Sequence, residues 1–91
     1  MNYIKARWIH SIESEPVLLY SELDDQRMEV RKVEVFADGR MDYAGRMGHK
    51  GNARLGKVPV PPLDEIAADP EFEPVKINQG EFDAVWAKAN S

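Results

Sequence analysis

Met28-Glu29-Val30-Arg31-Lys32-Val33-Glu34-Val35-Phe36-Ala37-Asp38-Gly39-Arg40-Met41-Asp42-Tyr43-Ala44 decides the fold of this chain. Its first half is rich in β-branched residues, which suit a pleated, half-buried surface. The alternation slips, because Val30 lies on one parity and Val33 and Val35 on the other. A β-bulge near Arg31-Lys32 reconciles the two, since one extra residue reverses the facing of everything beyond it. Asp38-Gly39 is the sharpest turn signal. A type I′ hairpin turn needs positive φ at both central positions, which Asp tolerates and Gly adopts at little cost. The spacing predicts a strand over residues 28–36, a tight hairpin flanked by Phe36 and Arg40, and a strand over residues 40–44 with Met41 and Tyr43 toward the core.

Toward the N-terminus, residues 3–10 alternate. Ile4, Ala6 and Trp8 take one side and Lys5 and Arg7 the other, the period of a half-buried strand. Glu13-Ser14-Glu15-Pro16 interrupts it, and Val17-Leu18-Leu19-Tyr20 opens a further strand through Leu23. Asp24-Asp25 marks the next turn.

Toward the C-terminus, residues 45–57 form a Gly-rich basic loop carrying Arg46, Lys50, Arg54 and Lys57 with no carboxylate. Residues 58–62 follow, with Pro59, Pro61 and Pro62, a semi-rigid extended connector. Leu63, Ile66 and Ala67 fall at helical spacing, with Asp64 and Glu65 complementing the dipole of a first turn, and Asp69-Pro70 stops that helix. Residues 72–77 are extended, either an edge strand or a packed crossover. Asn78 with Glu81 three residues later makes a capping-box-like start for a helix striped by Phe82, Val85, Trp86 and Ala89. The expected fold is α+β: an antiparallel four-stranded meander over residues 3–44, with two C-terminal helices, near 62–68 and 79–89, packed on one face. The 91 residues make a single domain.

Composition narrows the chemistry. Without Cys there is no disulfide framework and no thiolate metal site, in keeping with a reducing cytoplasm. No segment approaches ~18 consecutive apolar residues, and the start of the chain has no apolar run of signal-peptide length, so a soluble protein without a membrane partner is expected. The net charge of −4 is uneven: residues 1–60 carry a net +1 and residues 61–91 a net −5.

Gly51-Asn52-Ala53-Arg54-Leu55-Gly56-Lys57 spells most of a phosphate-binding loop. Val58 replaces the hydroxyl residue that holds Mg²⁺, and the prolines behind it forbid the helix whose N-terminal amides bind phosphate. His10 and His49 have no second His or Cys at ligand spacing, so no metal is expected. Ser11, Ser14 and Ser21 have no nucleophile elbow, Glu13 and Glu15 sit in a Pro-bounded turn, and no acid–base set assembles. No enzyme activity and no cofactor are expected.

Residues 15–25, the run from Glu29 to Phe36, and Asp38-Gly39 carry a resemblance, together with Tyr3-Ile4-Lys5, Trp8-Ile9-His10, Pro62-Leu63, Ile66, Phe72, Phe82 and Trp86. On these residues the chain resembles an uncharacterised family of small single-domain bacterial proteins, a domain of unknown function. The resemblance is thinnest over residues 44–57. It implies a stand-alone domain and a bacterial setting, and no catalytic residues.

Two functional expectations follow. The first is a non-enzymatic protein-binding module, an inhibitor or immunity-type partner, using the mixed charges of the second and third strands. Glu22, Arg27, Glu29 and Arg31 are its candidate contacts, because mixed charge sets specificity and guanidinium forks suit carboxylates. The second is binding of a small anion, nucleotide or nucleic acid by Arg46, Lys50, Arg54 and Lys57. Negative net charge and the lack of an aromatic between Ala44 and Val58 weigh against nucleic acid.

Overall fold

A computed structural model describes residues 1–91. Strands β1 (Asn2–Trp8), β2 (Leu18–Leu23), β3 (Glu29–Val35), β4 (Met41–Gly45) and β5 (Gly48–Lys50) form an antiparallel meander. Helix α1 (Leu63–Ala67) leads into β6 (Phe72–Ile77), which returns antiparallel to β1, and α2 (Gln79–Ala89) ends the chain. The sheet therefore has six strands, in the order β5-β4-β3-β2-β1-β6, and not four. The extended segment 72–77 is the edge strand. β6 is paired through Ile77, Val75 and Glu73 opposite Tyr3, Lys5 and Arg7, so the missing N–H of Pro74 falls on the open edge and blunts it.

The hairpin lies where Asp38-Gly39 placed it, but its turn type differs. Phe36 donates its N–H to Arg40, Gly39 donates to Phe36, and Gly39 alone of the loop residues has positive φ, at 90°. This is a three-residue loop, Ala37-Asp38-Gly39, ending in a left-handed glycine. The bulge lies one residue before the expected position. Glu22 pairs with Arg31 while Leu23 pairs with Glu29, leaving Val30 as the extra residue.

The two helices cover opposite faces, not one. Register puts Tyr3, Tyr20, Glu22, Arg31, Val33 and Tyr43 on one face and Ile4, Ser21, Lys32 and Ala44 on the other. α2 packs on the Tyr3 face: the Phe82 ring lies 5.6 Å from Tyr3 and the Trp86 ring 5.3 Å from Tyr43. Phe82 is fully buried, stabilising the fold by about 2–3 kcal/mol. Gly45 permits this approach, since a Cβ there would stand 2.9 Å from Trp86 Cη2. Asn78 Oδ1 accepts the N–H of Glu81 and starts α2 at the expected residue. The Ile4 face is covered by the loop and connector of residues 51–62, anchored by fully buried Ala53, and by α1. β1 is thus buried from both sides, with Tyr3 under α2 and Ile4 and Ala6 beneath the connector.

Candidate functional site

The bulge at Val30 decides where the strand charges go. In an unbroken strand Glu29 and Arg31 would share a face. Here Arg31 points at α2 and Glu29 at the connector, and each organises a separate polar constellation.

On the α2 face, Arg31 donates to both oxygens of Glu22, at 2.6 and 3.0 Å, and to Asp83 Oδ1 of α2 at 3.0 Å. Its guanidinium lies 4.8 Å from the Phe82 ring centroid and 5.1 Å from that of Trp86. The Tyr3 phenol neighbours the same Glu22 carboxylate. Glu22 is only 6% exposed. The hydrogen bonds from Arg31 hold its carboxyl below the ordinary 4.5 despite burial. Burial, followed by the neighbouring carboxylate, pushes the Tyr3 phenol above 10.0. This is a clamp that ties α2 to the sheet.

On the opposite face, the sheet, the connector and α1 enclose a cleft of about 350 Å³. The recess opens where two small side chains, Ala6 and Ser21, stand diagonally across paired strands. Ile4, Leu19, Val60, Ile66 and Phe72 supply apolar lining. Its polar groups are fixed. Glu29 Oε1 accepts the N–H of Gly56 at 2.6 Å, and Glu29 Oε2 accepts from Ser21 Oγ at 3.2 Å. Lys32 Nζ lies 3.4 Å from Glu29 and 3.6 Å from Glu34. The connector wall is held by Arg27, which donates from Nε to the Val60 carbonyl and from Nη2 to that of Pro61, both at 2.7 Å. Val60 N–H returns a 2.8 Å bond to the Arg27 carbonyl. Arg27 reaches this position with φ of 63°, the only non-glycine residue at positive φ.

The family described as a domain of unknown function, DUF6881, matches residues 2–91. The chain belongs to the DUF6881 family. No curated protein and no solved structure matches it. The family match spans both clamp and cleft, and includes residues 44–57, where the sequence resemblance was thinnest.

In this DUF6881 domain all four residues expected at a partner-binding face are engaged internally. Glu22 and Arg31 tie down α2, while Arg27 and Glu29 tie down the connector. They also divide between two faces, so they do not form one surface. The basic residues Arg46, Lys50, Arg54 and Lys57 are all exposed, and none lines the cleft. Arg54 folds back on the carbonyls of Gly51 and Ala53, at 3.2 and 2.7 Å. Two amides of the phosphate-loop look-alike serve the protein's own carboxylates: Asn52 N–H donates to Asp42 and Gly56 N–H to Glu29. The basic segment 45–57, expected as a loop, also contains β5, whose three residues lack the apolar alternation that marks a strand. The cleft residues Ser21, Lys32, Glu65, Ile66 and Asp69 carry no motif. Their only sequence signal is a small Ser inside an apolar strand, which becomes meaningful once Ile4 is known to pair with Ser21.

Proposed function

We propose that this domain is a ligand-binding module whose site is the cleft between the sheet and its cover of connector and α1. One observation supports the reading: apolar walls and a hydrogen-bonded polar floor coincide in a single recess. Small-molecule sites combine mostly apolar lining with a few polar groups that set orientation, in volumes of roughly 300–1,000 Å³. At about 350 Å³ the cleft suits a small ligand or a single side chain of a larger one. The preformed floor lowers the ordering cost of binding, because Ser21, Glu29 and Lys32 already hold one another. A bacterial, cytoplasmic setting belongs to this reading, supported by the family resemblance and the cysteine-free sequence.

A fragment screen read by thermal shift tests it. Ile66→Trp narrows the cleft from the α1 side, and Ala6→Leu fills it from the sheet. At least one small arylalkyl fragment should raise the wild-type midpoint, with the shift lost in Ile66→Trp, a change at a half-buried position of α1 that should leave the circular dichroism spectrum intact. No hits, or hits that both filled variants retain, would overturn the proposal.

A further inference from the structure

Granted the cleft as the ligand site, on which this selectivity rests, we infer that it takes a small organic cation: an ammonium group on an apolar body. The charged groups lining the cleft are Glu29, Glu65 and Asp69 against a single Lys32. What matters is which of these charges is already spent. Lys32 lies between two carboxylates, Glu29 and Glu34, so its positive charge is fully countered inside the protein. Glu65 and Asp69 belong to no ion pair. Glu65 lies in α1 and Asp69 just past its C-cap, and both are exposed and line the cleft at its mouth. Asp69 Oδ1 accepts the Glu71 N–H, and its second oxygen has no hydrogen-bond partner within the protein. Arg27 does not line the cleft, and its guanidinium is committed to the Val60 and Pro61 carbonyls behind it.

An amine entering apolar end first would place its hydrocarbon against Ile4, Ala6, Leu19 and Phe72 and its ammonium between Glu65 and Asp69. An anion of the same shape would meet two unpaired carboxylates at the mouth and find Lys32 already paired. A neutral analogue gains the apolar contacts alone. The order of affinity is therefore cation, neutral, anion.

The test is a titration of the ¹⁵N-labelled chain, at low ionic strength, with phenethylammonium, 2-phenylethanol and 3-phenylpropionate, whose apolar bodies match. Amides of Ile4, Ala6, Leu19 and Ile66 should shift with all ligands that bind. Phenethylammonium should bind roughly 10-fold more tightly than 3-phenylpropionate, a factor that two exposed carboxylates supply by attracting the one and repelling the other. The double variant Glu65→Gln with Asp69→Asn should lose about 3- to 10-fold of the cation's affinity and none of the alcohol's. If the three ligands bind the cleft equally, or the anion binds best, the cation selectivity is wrong while the cleft stands. If none moves the cleft amides, the cleft reading itself falls and the selectivity with it. The wild-type series decides the matter even if the double variant folds poorly.

Discussion

Glu22→Gln is the substitution that the clamp geometry constrains most closely. The change keeps the shape of the side chain and removes the charge that two Arg31 bonds of 2.6 and 3.0 Å are made to. Removing one partner of a fully buried ion pair costs about 3–5 kcal/mol. A single hydrogen bond to a charged group contributes about 1.5–3 kcal/mol. The Arg31 side chain is 24% exposed and keeps its 3.0 Å bond to Asp83, so part of the lost interaction is replaced by water and by α2. The expected loss is about 2–3 kcal/mol, or about 10–20 °C in Tm for a domain of this size. Urea denaturation at pH 7 measures it directly. The pH dependence supplies a second check. Because the folded Glu22 carboxyl sits below its ordinary 4.5, its stabilisation is complete above that value and lost as the pH falls through the lower folded value. The gap between wild type and variant should therefore close below about pH 4.5. A loss under about 0.5 kcal/mol at pH 7, the size of an exposed pair, would refute the clamp, as would a gap that persists unchanged at pH 2.

Three further outcomes follow from the loops that join the strands. Gly51→Ala should destabilise by about 1–3 kcal/mol by urea denaturation, because φ is 70° there and a Cβ would collide with the Asp42 carboxylate. A neutral effect would mean that the loop is not held as described. Arg27→Asn keeps a residue that tolerates positive φ and removes both guanidinium bonds to the connector, so hydrogen exchange at the Val60 amide should accelerate while the α2 amides stay protected. Equal acceleration in both would contradict a local role. His10 Nδ1 accepts the Ile12 N–H at 2.9 Å while Nε2 lies 2.8 Å from the Pro16 carbonyl, which fixes the neutral Nε2–H tautomer. Long-range ¹H–¹⁵N correlation at neutral pH should show that tautomer, and the Nδ1–H form would contradict the packing of residues 10–16.

Elements specified by local chemistry were legible in the sequence. α2 begins at Gln79 because Asn78 caps it and ends after the Phe82-Val85-Trp86-Ala89 stripe, all within one window. The β3–β4 hairpin was legible for the same reason, although its turn type was not: Asp-Gly serves a three-residue loop as readily as a type I′ turn. Placement of the helices depends on long-range choices. Tyr3 and Ile4 are both apolar neighbours on a strand that covers two layers, and the alternation of Lys5 and Arg7 with Ile4 and Ala6 suggested only one. The site was hidden by the same bulge that the slipped valines announced. Glu29 and Arg31 share a parity in the sequence and look like one charged face, and Val30 sends them to opposite sides of the sheet.

The cleft as ligand site is tested most directly by mapping where a bound ligand sits. On titration of the labelled chain with phenethylammonium, the amides of Ile4, Ala6, Leu19, Ser21 and Ile66 should move together and saturate with one dissociation constant, leaving α2 and residues 46–50 still. Shifts confined to Arg46, Lys50, Arg54 and Lys57, or to the Arg31 and Trp86 side of the sheet, with the cleft amides unmoved, would contradict the account.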